Sequence, residues 1–185
     1  MKELSLNILD VAKNSVVAGA SLIEITISET EETLEISIKD DGCGMTEETV
    51  AKVIDPFYTT RTTRDVGLGI PLLKMEAEMT GGHLEIQSVR ECDESSEHGT
   101  VIKADFYKNH IDFIELGDIV STITILISGS PEIDWDFRHV TPKGTVSLDT
   151  REIRAVLGSE VPLDSPEIIG WMTASLNEEY ESINN

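Results

Sequence analysis

Cysteine is nearly absent from this chain. Only Cys43 and Cys92 occur among 185 residues, in different segments and without the paired spacing of a zinc ligand set. Neither a disulfide framework nor a structural zinc site is expected, and a reducing compartment fits. Basic residues are scarce as well. Fourteen Lys and Arg stand against 35 Asp and Glu, a net charge of -21 that both halves of the chain share. Such a field opposes a sequence-independent hold on a nucleic acid backbone or an anionic surface, so neither nucleic acid nor membrane is an expected partner. No run approaches the roughly 18 apolar residues of a membrane span, and the N-terminus lacks a basic, apolar, small-residue signal pattern. A cytoplasmic location is expected. Three nucleotide or metal motifs are missing too. No Gly-x-x-x-x-Gly-Lys-Ser/Thr occurs, Glu47 stands where Gly-x-Gly-x-x-Gly needs its last glycine, and Ala51 stands where an EF-hand beginning at Asp40 needs Glu.

What is present is an ordinary globular share of apolar residues, 39%, arranged with clear periods. Leu4, Ile8, Val11, Ala12 and Ser15 recur at helical steps, which predicts a core-facing helix from Glu3 to Ala18, ended by Gly19. Ser21 to Ser28 and Leu34 to Lys39 alternate as two strands around an acidic turn. Thr46 is placed to cap a short helix to Val53, residues Asp55 to Val66 have no period and read as a loop, and a further helix is expected from Ile70 to Met79. His83 to Val89 and Val101 to Tyr107 follow as strands. The expectation is an α/β (α+β) two-layer sandwich, with helices on one mixed or antiparallel sheet. After about His110 the character changes. Residues Ile119 to Ile127 are apolar and β-branched, Trp135 to His139 and Thr145 to Leu148 suit short strands, and Thr150 to Leu157 and Pro166 to Ile183 suit helices. Two units are therefore expected, 1–109 and a small α/β appendage over 110–185 that carries no chemical motif.

Four motifs stand in fixed order in the first unit. They are Asn14 on the first helix, Asp40-Asp41-Gly42-Cys43-Gly44-Met45 after a strand, Asp55-Pro56-Phe57-Tyr58-Thr59-Thr60-Arg61, and Gly67-Leu68-Gly69 before a helix. Taken together they resemble the N, G1, F and G2 boxes of the GHKL superfamily: DNA gyrase B, heat-shock chaperone ATPases, histidine kinases and MutL. Gly81-Gly82-His83-Leu84-Glu85-Ile86-Gln87-Ser88 and Gly99-Thr100-Val101 add likeness to histidine kinase catalytic domains in particular. The resemblance covers about residues 1–108 and implies the Bergerat-type ATP-binding fold, with ATP and Mg²⁺ as ligands.

It also implies roles. Asn14 supplies a side-chain oxygen to Mg²⁺, a hard cation that arrives with phosphates. Asp40 accepts from the adenine amino group, with Gly42, Gly44 and Met45 close to the base and Thr100 anchoring the Asp. Phe57 of the F box is a nucleotide-binding candidate, and Thr59 to Arg64, with Thr60, form a lid over the triphosphate in which Arg61 and Arg64 are available counter-charges. Gly67, Leu68 and Gly69 offer N–H groups to phosphate oxygens at a helix start. Asp10, four residues before Asn14, stands where gyrase B and the heat-shock ATPases carry the Glu that positions water, one methylene shorter.

The match departs from histidine kinases in two ways. No helical phosphoacceptor His is expected, because His83, His98, His110 and His139 are read as strand or loop residues and the chain opens at the N-box helix. The basic residue that many kinases carry after the Asn is replaced by Val16, Val17 and Ala18. Two functions follow: a stand-alone ATPase or protein kinase acting on a partner protein, or an ATP-gated protein-binding module with little turnover. Cys43, inside the G1 box, is expected to be a small apolar filler.

Overall fold

A computed structural model describes residues 3–55, 68–91, 98–158 and 161–184. Six strands form one mixed sheet in the order β3-β4-β2-β1-β5-β6. The strands are β1 (Leu22–Glu29), β2 (Thr33–Asp40), β3 (Leu84–Val89), β4 (Gly99–Tyr107), β5 (Asp134–Thr141) and β6 (Gly144–Asp149). Around them lie α1 (Leu4–Val17), α2 (Glu47–Val53), α3 (Gly69–Met79), α4 (Ile119–Gly129), α5 (Thr150–Leu157) and α6 (Pro166–Asn184).

Side-chain alternation dictates which face is covered. Ile23, Ile25 and Ile27 of β1 and Leu34, Ile36 and Ile38 of β2 are all at most 1% exposed, whereas the intervening Glu24 and Lys39 pair across the open face at 2.6 Å. A sheet with one apolar and one charged face needs a single helical layer, and α1, α3 and α4 provide it. On α1, Leu4, Ile8, Val11 and Ala12 have no exposed surface, the stripe their spacing predicts.

The second half joins this scheme. β4 and β2 are antiparallel, as are β2 and β1, while β5 lies parallel to β1. β4 and β5 therefore run in the same direction, and parallel strands need a crossover, which α4 supplies. The β-branched run Ile119 to Ile127 is thus helical. Asp118 starts it, accepting from the Ser121 N–H at 2.9 Å and the Ser121 hydroxyl at 2.6 Å. Burial overrides the weak helix preference of these residues, since Ile119, Ile123, Leu126 and Ile127 are at most 4% exposed. Residues Trp135, Phe137, Val146, Met172 and Leu176 enter the same buried cluster as α1 and β1. Among the described residues no helix is long and apolar enough to cross a membrane.

At the end of β1 remote from the G1 box, Glu29 lies in a polar cluster. Its carboxylate meets the His139 ring Nε2 at 3.1 Å and accepts from Lys108 Nζ at 2.7 Å, while His139 Nδ1 is 2.8 Å from the Tyr180 hydroxyl on α6. His139 is 4% exposed. The hydrogen bond with His139, aided by Lys108, outweighs burial and lowers the Glu29 carboxyl to about 2.

Candidate nucleotide site

Helix α1 presents Asp10, exposed, and Asn14, half-buried, one turn apart at the edge of its apolar stripe. The next residue, Ser15, is buried and points its hydroxyl at the sheet. Ser15 Oγ donates to Asp40 Oδ2 at 2.6 Å.

Asp40 is the last residue of β2 and only 9% exposed. Its Oδ1 accepts from the Gly42 N–H at 3.0 Å. The loop that follows is fastened on every side. The Cys43 N–H donates to the Ala18 carbonyl at 3.0 Å, the Cys43 carbonyl accepts from the Glu91 N–H at 2.9 Å, and the Met45 N–H donates to Ser88 Oγ at 2.8 Å. His98 Nδ1 lies 2.7 Å from the Gly42 carbonyl, which fixes that nitrogen as the donor because a carbonyl can only accept. Gly44 has φ +63°, and a Cβ there would overlap the Val89 carbonyl oxygen, so the motif's second glycine is required by both backbone and neighbour. The loop is preformed.

Asp41, beside Asp40, has a structural task. Its carboxylate accepts from the Ser21 N–H at 2.7 Å, the Leu22 N–H at 2.9 Å and the Ser21 hydroxyl. Burial raises its carboxyl, but those hydrogen bonds prevail and hold it below the ordinary value.

The third part is the start of α3. Leu68 is its N-cap residue and makes no side-chain cap bond, and Gly69 is its first helical residue. A Cβ added to Gly69 would stand 3.0 Å from Asp10 Cβ, so the glycine lets the start of α3 reach the acidic turn of α1. The helix thus begins beside Asp10, and its N-cap residue offers no side-chain cap to the first N–H groups, a setting that favours an anion.

The structure ties Asp40, Gly42, Gly44 and Met45 to α1 and β3 through Ser15, Ala18, Ser88 and Val89, and sets Gly69 against Asp10, one turn of α1 before Asn14. Phe57, Thr60, Arg61, Arg64 and Gly67, with Cys92, lie outside the described residues. Thr100 sits opposite Asp40 in the β2-β4 register, but its hydroxyl pairs with Ser88 Oγ at 2.8 Å, and the hydroxyl bonded to the Asp40 carboxylate is that of Ser15. Cys43 corrects an expectation: it is exposed and free, because the fastened backbone turns its side chain outward instead of into the core. Three residues that hold Asp40 and its loop from other elements are not assigned a role by the sequence. Ser15 stands in the sequence only as a polar member of an apolar stripe, Ser88 only as the end of the strand segment after the second helix, and His98 only as a loop residue, since their partners come from distant segments.

Residues 1–109 match the family described as histidine kinase-, DNA gyrase B-, and HSP90-like ATPases. The sensor histidine kinase WalK of Bacillus subtilis (strain 168) is 35% identical over 82 residues, which cover 42% of this chain and 13% of that protein. Sporulation kinase A of the same organism is 30% identical over 108 residues, 58% of this chain and 16% of that protein. The chain thus spans less than a fifth of the length of these relatives. A solved N-terminal domain of a DNA repair protein shares the fold, with a TM-score of 0.58 at 16% identity over 86% of this chain and 58% of that one.

Proposed function

Because the chain belongs to the family of histidine kinase-, DNA gyrase B-, and HSP90-like ATPases, we propose that it binds Mg-ATP and transfers the terminal phosphoryl group to water or to a partner protein in signal transduction. The observation that carries this reading is the close approach of Gly69 to Asp10, which sets Asp10 beside the N–H groups of a helix start whose N-cap residue gives them no side-chain bond. Those groups suit phosphate oxygens, and Asp10 is exposed and chemically suited to take the proton of the attacking O–H. Asn14, one turn away, is the residue for Mg²⁺, which would neutralise charge on the phosphates. Asp40, desolvated and held by Ser15 and Gly42, is the acceptor for an adenine amino group, and the fixed Gly42-to-Met45 backbone is the floor for the base. The donor set is oxygen-only on the metal side and mixed on the base side, which suits Mg-ATP.

The acceptor would be water or a group outside the described residues. His83 and His98 precede strands, His110 is in a turn and His139 is on β5, so none of them is helical. A second reading has one observation in its favour: Val17, where many kinases carry a basic residue nearby, is 73% exposed and offers no charge to phosphate. Under that reading the chain is an ATP-gated protein-binding module with little turnover.

Calorimetric titration of the chain with ATP, with and without Mg²⁺, tests the proposal beside Asp40→Asn and Asn14→Ala. Binding that Asp40→Asn removes, and whose Mg²⁺ dependence Asn14→Ala removes, is the expected result. Binding to adenine-free triphosphates with equal affinity would overturn it. Steady ADP formation then separates the enzyme from the module.

A further inference from the structure

The Asp40 carboxylate is held by two donors of different kinds. The Gly42 N–H belongs to the same loop and moves with it, whereas Ser15 Oγ comes from α1. Ser15 is 4% exposed, so little water competes for its hydroxyl. A helical Ser has the carbonyl four residues back within reach of its O–H. Here the proton goes to Asp40 Oδ2 at 2.6 Å instead. Thr100, the cross-strand neighbour, is engaged with Ser88. Ser15 is therefore the side chain that fixes the rotation of the Asp40 carboxylate, a torsion that is otherwise broad for Asp.

From this geometry we infer that Ser15 is a specificity-determining positioning residue: by fixing the Asp40 carboxylate it sets how strongly the site prefers a base with an exocyclic amino group. The inference rests on the reading of Asp40 as the adenine acceptor. A carboxylate has about four lone-pair sites, so the two bonds from Ser15 and Gly42 leave acceptors for a ligand. Ser15 also follows Asn14 directly. One turn of α1 thereby serves the base end and the metal end of the nucleotide, and a shift of that turn moves both.

The test compares ATP with purine riboside triphosphate, which lacks only the amino group, in titrations of the whole chain carrying Ser15, Ser15→Ala or Ser15→Cys. The unaltered chain should prefer ATP by about tenfold or more, the value of one hydrogen bond to a charged acceptor. In Ser15→Ala the ratio should fall below about threefold while affinity for the analogue changes less than about twofold. Ser15→Cys, similar in volume but a weak donor, should lie between, and it carries the test if the alanine variant fails to fold by circular dichroism. Equal weakening of both ligands, or an unchanged ratio, would overturn the inference and leave Ser15 a packing residue. No preference for ATP in the unaltered chain would overturn the adenine assignment of Asp40, and the inference with it.

Discussion

Asn7 on α1 donates its side-chain amide to the Glu76 carboxylate on α3, and both groups are buried, Glu76 to 3% exposure. The pair joins the two helices that carry Asp10 and Gly69. Replacing Glu76 by Leu would strip Asn7 of this acceptor inside the protein, a loss of about 2 kcal/mol or more. Urea unfolding should show that loss. Glu76→Gln keeps an acceptor oxygen and should recover most of it.

Asp10→Asn removes the proton acceptor and keeps the shape. If the chain turns ATP over, ADP formation should fall by about 100-fold or more, with the dissociation constant for ATP within about threefold of the original. An unchanged rate would remove Asp10 from the chemistry.

Gly69→Ala places a methyl group against Asp10 Cβ at 3.0 Å. Alanine favours the helix by about 1 kcal/mol over glycine, which offsets part of the crowding. Thermal unfolding should therefore move by only a few degrees while triphosphate binding weakens markedly, because the start of α3 must draw back from α1. Gly44→Ala should behave otherwise. Its φ of +63° and the overlap with Val89 oppose any side chain, so the whole protein should be destabilised.

Glu29 gives a pH signature. Its carboxyl is lowered from 4.5 to about 2 by His139 and Lys108. A lowered folded value means that the stabilisation is complete above the unfolded value and disappears as pH falls from about 4.5 through 2. It amounts to on the order of 3 kcal/mol at neutral pH. Glu29→Gln should therefore lower the denaturation midpoint at pH 7 and converge on the unaltered chain near pH 2. A constant difference across that range would disprove the assignment.

Local periodicity made much of this architecture legible. The stripe Leu4, Ile8, Val11, Ala12 located α1 to within a residue at each end, the alternations in β1 and β2 located those strands, and Thr46 caps α2 by accepting from the Thr49 N–H at 3.2 Å. These features depend on neighbours in sequence. The parallel pairing of Leu22 to Ser28 with Asp134 to Val140 does not, and no pattern near either strand announces it. The same division holds in the site. Asp40, Gly44 and Gly69 stand out in the sequence because they fall in short motifs, at a turn and a helix start, whose order resembles a known family. The bonds from Ser15 and His98 arise from folding distant segments together, and Cys43 faces outward because of backbone ties that its sequence neighbours do not reveal.

A sheet's edge is also a vulnerability. With β5 in place, β1 is an interior strand, and seven of its residues, Leu22 to Ser28, are matched with β5. A fragment ending near residue 109 would hold every recognisable motif yet present that strand's unpaired N–H and C=O groups to solvent, beside isoleucines that β5 and α4 no longer shelter. Such a fragment would be prone to associate with copies of itself. The segment without motifs thus covers an edge that the segment with them would otherwise expose, and work on the nucleotide chemistry should begin from the whole chain.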